Sequence, residues 1–344
     1  MKGKKLISIA LSSLLLTSGV CALAACGDEP TPSGGDDLSS KDLPATTSVI
    51  SLADYTSKVK AGIAGSMAGV AYGYKDFVHG KKWEFASKNW IAASILPKWS
   101  DVWVPNGYDQ DDIYLAMAAI EALHNLGLDA TSKELGIYMY NKNFEFWDGS
   151  NSDVLDRGYA PPYSGYPTDK TPDFTNAYSD GNSYQCGAEF GGYLGLNMTG
   201  AANELVHRVA EICTYGDGIY ATQFIAAMYG AAFFTNDIGQ VIDAGLAAIP
   251  EDSWSAEVIK DVLKNKEDGK SAEENYESIM KKYCDWNGSS YTSPYQWINW
   301  PSGNILLDAK MCSAFPVIGL LYGEGDLEKS VKYTVQCAND CDST

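Results

Sequence analysis

Apolar residues recur every three or four positions along most of the chain and seldom alternate with polar ones. Behind the polar turn Asn106-Gly-Tyr-Asp-Gln-Asp111, the residues Ile113, Met117, Ile120 and Leu123 fall on one helical stripe and predict a buried face. The same spacing predicts helices over Asp54 to Tyr72, Thr199 to Thr214, Gly218 to Phe234 and Ile238 to Ile249, the last stopped by Pro250. Thr131-Ser-Lys-Glu134 and Ser271-Ala-Glu-Glu274 have the Ser/Thr-x-x-Glu form of a capping box and open two more, the first running towards Phe146. Ser253 to Lys264, Asp308 to Leu320 and a run from Asp326 to Ala338 complete the set. With no strand-like alternation and no fixed-period repeat, the expected fold class is all-α, and a solenoid is disfavoured.

Several stretches interrupt this pattern. Gly62, Gly65, Gly69 and Gly73 recur along the first helix, each costing about 0.5–1 kcal/mol relative to alanine, so close helix packing is expected to compensate. Residues 147 to 182 are rich in Gly, Pro, Asp, Ser and Tyr, a length of irregular chain that often serves a binding function and otherwise packs as a surface loop. Residues 284 to 303 gather Trp286, Tyr291, Tyr295, Trp297 and Trp300, aromatic faces suited either to stacking on an adenine or a sugar or to packing on the bundle. In Tyr215-Gly-Asp-Gly218 the two glycines suit left-handed turn positions between helices.

Composition changes the picture at the N-terminus. Lys2, Lys4 and Lys5 precede an apolar run from Leu6 to Leu16 that ends at Leu23-Ala-Ala-Cys26, the layout of a signal peptide. It resembles a bacterial lipoprotein signal, with Cys26 as the lipidated residue, and the run is too short to span a membrane. A plain secretory signal cut nearby is the alternative. Residues 27 to 50 are Pro-, Gly-, Ser- and Asp-rich and are expected to form a disordered tether, leaving 51 to 344 as the folded domain. The expected location is therefore the bacterial cell envelope, lipid-anchored and facing the periplasm or exterior.

A net charge of −19 argues against a nucleic-acid partner, which would call for a basic face. Cys186, Cys213, Cys284, Cys312, Cys337 and Cys341 remain beyond the signal, and the sequence does not choose among their pairings. No Cys-x-x-Cys or His-x-x-x-His spacing points to zinc. His79, His124 and His207 are scattered and read as packing or surface residues.

Two acidic clusters carry the candidate chemistry. Asp109, Asp111 and Asp112 lie at the cap and first turn of a helix, where they either satisfy free N–H groups and the helix dipole or offer oxygens to a hard cation. Asp340 and Asp342 lie one residue apart near the other end, with Ser343 beside them. Together these clusters resemble the signature of the ADP-ribosylglycohydrolase family, in which a Thr/Ser-Asp-Asp at a helix start and a late Asp-x-Asp-Thr/Ser hold two divalent cations. Gln110-Asp111-Asp112 and Asp340-Cys341-Asp342-Ser343 match it. Tyr215 to Tyr220, Phe224 to Met228, Ala244 to Ser253 and Leu320 to Gly325 look like secreted bacterial members, so the resemblance covers about residues 55 to 344.

The resemblance implies a compact orthogonal multi-helix bundle and two Mg²⁺ or Mn²⁺ ions held by Asp111, Asp112, Asp340, Asp342 and Ser343, with Gln110 in place of a hydroxyl residue. Asp76 stands nearest the glutamate that the family places after its first helix. Glu189 becomes a candidate catalytic carboxylate, or one making a salt bridge at the edge of the core, and Tyr215, Asp217 and Gly218 become candidate substrate-binding residues. Family members usually continue with another helix after the late motif, which implies a truncated C-terminus here. The implied activity is metal-dependent hydrolysis of an ADP-ribosyl bond on a protein or small molecule, with water attacking the anomeric carbon through an oxocarbenium-like state. A glycosidase of different specificity, or a binding protein of the same fold without turnover, are the alternatives.

Overall fold

Helix boundaries follow local capping chemistry closely. In the computed structural model, which describes residues 49–77, 90–96, 98–101, 111–141, 181–196, 198–283, 308–338 and 340–344, the Thr131 box is closed. The Thr131 backbone N–H donates to Glu134 Oε2 at 2.9 Å and the Glu134 N–H to Thr131 Oγ1 at 3.3 Å. The Ser271 box is closed in the same way, at 2.8 and 3.2 Å. Asp237, Ser253, Asp308 and Asp326 each accept a backbone N–H from the first turn of the helix they precede, worth about 1 kcal/mol apiece.

The resulting helices, in chain order, are α1 (Leu52–Phe77), α2 (Asp111–Leu126), α3 (Ser132–Asn141), α4 (Glu189–Gly195), α5 (Thr199–Ala210), α6 (Asp217–Ala232), α7 (Ile238–Ala247), α8 (Trp254–Glu267), α9 (Ala272–Tyr283), α10 (Ala309–Gly323) and α11 (Leu327–Gln336). Single 3₁₀ turns occupy Ala93–Ile95 and Trp99–Asp101. Among the described residues there is no strand, only an isolated antiparallel bridge between Gly181 and Asp308, so the all-α expectation holds. None of the described helices is long and apolar enough to cross a membrane.

Two helices that are apolar almost all round, α6 and α10, form the centre, as such helices must be enclosed. Around α6 lie α4, α5 and α7, while α8, α9 and α11 surround α10, and the two central helices touch each other. Their largest shared cluster contains Phe190, Val206, Phe224, Ile259, Tyr276 and Phe315, all fully buried. A smaller cluster of Ala68, Tyr72, Ile91, Val335, Ala338 and Cys341 joins α1 to the end of α11. Ile91 and Gln336 seal it with two hydrogen bonds of 2.8 Å, one from the Ile91 N–H to the Gln336 carbonyl and one from the Gln336 amide to the Ile91 carbonyl.

Three expectations require correction. On α2 the buried face is Asp112, Ile113, Leu115, Ala116, Ala118, Ala119, Ala122 and Leu123, whereas Met117 and Ile120 are 43% and 37% exposed. Small alanines make the close contact, and the bulky pair lies one step round the helix. Among the described residues, Gly62 and Gly73 of α1 are packed tightly, whereas a methyl group at Gly65 or Gly69 would meet none of them within 4 Å. Gly216 does take a left-handed conformation, with φ of 55°, but Gly218 is the second residue of α6, which begins earlier than its hydrophobic spacing indicates.

Candidate active site

The late acidic motif is a turn held by Asn182, by α1 and by its own Thr344. Asp340 is 7% exposed, and its Oδ2 accepts from the Asn182 side-chain amide at 2.8 Å. The Thr344 hydroxyl donates to the Asp340 carbonyl and closes the turn on itself. On the other side α1 comes so near that a methyl group at Gly73 would overlap the Cys341 carbonyl, 2.2 Å away, and the Asp342 nitrogen, 2.7 Å away. Only glycine permits that approach.

Asn182 begins a series of tight turns, residues 182–188, that also reach α2. A methyl group at Gly187 would lie 3.1 Å from the Ala116 nitrogen and 3.4 Å from the Asp112 carbonyl. The segment thus touches Asp340 at one end and the first turn of α2 at the other, and its Gly181 neighbour bridges to Asp308. Asp112 is itself buried at 7% exposure. Asp342 and Ser343 are half-buried.

The donor chemistry of this corner suits a hard divalent cation, since the acids offer carboxylate oxygens. Burial, and then the flanking Asp342 and Asp340, push the Cys341 thiol well above its ordinary range. Its S–H turns to the Val335 carbonyl at 3.7 Å. Cys312 is likewise pushed up, first by burial and then by Asp340 and Asp308. Among the described residues no disulfide joins any two of Cys186, Cys213, Cys312, Cys337 and Cys341. Among the described residues no three His, Cys, Asp or Glu side chains are gathered to hold a metal. The side chains of Asp76 and Asp111, and all of Gln110, lie outside those residues.

Glu189 opens α4 and is 4% exposed. Burial raises its carboxyl to about 7, against a smaller opposing effect of its own backbone N–H. Tyr193 and Tyr229, both close enough to feel its charge, have their hydroxyls pushed up chiefly by burial. A group poised near neutrality is what proton transfer requires. Its raised value also makes a stability prediction. Ordinary carboxyls titrate near 4.5, so the native state holds this proton more tightly than the unfolded chain, and the stabilisation present below pH 4.5 is lost as pH rises through 7. We expect Glu189→Gln to remove that loss, on the order of 3 kcal/mol, and to melt higher than the parent at pH 8 but not at pH 4.5. Thermal melts at the two pH values check this; equal shifts at both would contradict it.

Asp217 lies with two charges that the sequence left unconnected. Its Oδ1 accepts from both the Ser255 N–H and hydroxyl, at 2.7 and 2.8 Å, at the start of α8. Burial raises its carboxyl, while Lys310 works in the opposite direction. Lys310, 1% exposed, donates to Asp308 Oδ2 at 2.9 Å and lies 5.6 Å from the centre of the Trp254 ring. Asp308 in turn caps α10. Tyr215 is half-buried before α6 and Gly218 is buried within it. The spacing of Asp308 and Lys310 gave no signal beyond a helix cap, because a lysine in a first turn ordinarily faces water. Asn182 was equally hidden, at the edge of a stretch that reads as irregular loop.

The lipobox Cys26, the tether up to residue 48, and the aromatic segment 284 to 303 lie outside the described residues. The sequence model of one protein family, ADP-ribosylglycohydrolase, matches residues 51–344. No curated protein and no solved structure matches the chain.

Proposed function

The chain belongs to the ADP-ribosylglycohydrolase family, and on that footing we propose that it hydrolyses an ADP-ribosyl linkage with the help of two Mg²⁺ or Mn²⁺ ions. The observation that supports this best is the segment 182–188, which meets Asp340 through Asn182 and the first turn of α2 through Gly187. A connecting segment of this kind is what a shared ion centre would require, and α1, which carries Asp76, meets the late motif at Gly73.

Asp111, Asp112, Asp340 and Asp342 would hold the ions, with Ser343, Gln110 and Asp76 contributing further oxygens. When bound, such ions activate water and grip ribose hydroxyls. The buried carboxylates favour the positive charge that develops at the anomeric carbon as its bond to the leaving group lengthens. Glu189, raised to about 7, can hold or release a proton at its carboxyl oxygens during that exchange. Tyr215, Asp217 and Gly218 are proposed to line the substrate side. Lipidation at Cys26 would fix this chemistry at the cell envelope.

The test is a screen on the full-length chain after removal of metal by chelator. ADP-ribosyl-arginine and ADP-ribosyl-serine peptides are supplied with and without Mg²⁺ or Mn²⁺. We expect hydrolysis only with metal, accompanied by a rise in melting temperature, since a ligand at about 100 times its Kd adds about 2.7 kcal/mol. A chain that gains neither activity nor stability from either ion would contradict the proposal.

A further inference from the structure

The buried contact between Asn182 and Asp340 goes beyond the metal ligands themselves. An aspartate carboxylate on a turn can rotate about its side-chain bonds, and a cation needs its oxygens aimed within a narrow range. Asn182 supplies a fixed direction: its amide nitrogen lies 2.8 Å from Asp340 Oδ2, and Asn182 is 4% exposed. An amide donor orients a carboxylate without adding a positive charge that would repel an ion. Lys310, by contrast, puts a cation against the neighbouring Asp308.

Asn182 is in turn fixed on both sides. Its carbonyl accepts from the Gln185 N–H at 2.8 Å and the Cys186 N–H at 3.3 Å, its predecessor Gly181 bridges to Asp308, and five residues on Gly187 abuts α2. We infer that Asn182 is a positioning residue that aims the Asp340 carboxylate at a divalent cation, with the segment 182–188 setting the separation between Asp340 and the start of α2. The inference rests on the metal-centre reading above. It assigns Asn182 no contact with substrate or ion.

Groups that orient metal ligands typically contribute 10- to 100-fold in metal affinity. Asn182→Ala in the full-length chain is therefore expected to weaken Mn²⁺ binding by about that factor, read as free Mn²⁺ by electron paramagnetic resonance. The metal-free melting temperature should change little by comparison. Asn182→Gln keeps an amide one methylene further out and should recover part of the loss. If the alanine variant fails to fold, Asn182→Ser, whose hydroxyl stops short of the amide position, carries the same expectation. Wild-type binding of Mn²⁺ with unchanged affinity in Asn182→Ala, or in the serine variant, would overturn this inference alone. A folded variant whose affinity is not partly restored by glutamine would also overturn it. A wild-type chain that binds no Mn²⁺ would overturn the proposed function as well.

Discussion

Replacing Lys310 by methionine is expected to cost the fold about 3–5 kcal/mol, the range for removing one partner of a buried ion pair. Lys310 and Asp308 are 1% and 0% exposed in their side chains and 2.9 Å apart, and Asp217 also feels the lysine charge. Methionine fills much of the same volume, so the loss is not a cavity effect. It leaves buried carboxylates without their nearest positive charge, and desolvated anions are expensive. The double variant Lys310→Met with Asp308→Asn should recover a large part of the loss, because charge and countercharge leave together. Urea unfolding of the single and double variants measures both quantities. A single variant within 1 kcal/mol of the parent would show that the pair is not a significant electrostatic support.

The second large effect concerns activity. Asp112→Asn and Asp340→Asn, each nearly isosteric, should lower hydrolysis by roughly 10³-fold or more if these acids hold ions that contribute several kcal/mol to the transition state. Both side chains are buried at 7% exposure, so replacing an anion by an amide should leave the fold intact or firmer. That combination separates a catalytic acid from a structural one, since a structural acid would lose stability first. Initial rates at saturating Mg²⁺, beside melting curves of the same samples, decide it. Rates within tenfold of the parent in both variants would remove these residues from the centre.

Much of this architecture was legible because helix starts carry their own chemistry. Thr131 with Glu134 and Ser271 with Glu274 close as boxes, and Asp308 and Asp326 cap the helices they were expected to open. Side-chain bulk misled where size and burial diverge: Met117 and Ile120 carry more apolar surface than Ala118 and Ala119, yet the alanines are the buried residues. Gly65 and Gly69 resemble Gly62 and Gly73 in sequence but have no close neighbour to accommodate among the described residues. The acids at Asp112 and Asp340 were readable as motifs. What links them was not, because Asn182 and Gly187 act through position in space, and an asparagine in an irregular stretch has no periodicity to reveal its partner.

The division of the interior into a large apolar cluster and a small one has its own consequence. The last described segment, with Asp340 and Asp342, follows a helix end shared between the two: Cys337 belongs to the large cluster, while Val335, Ala338 and Cys341 pack with Tyr72 in the small one. Regions that rest on few apolar contacts open at lower free energy than the whole. Loosening the small cluster would therefore shift Asp340 and Asp342 relative to Asp112, whose helix packs in the large cluster through Leu115, Ala118 and Ala119.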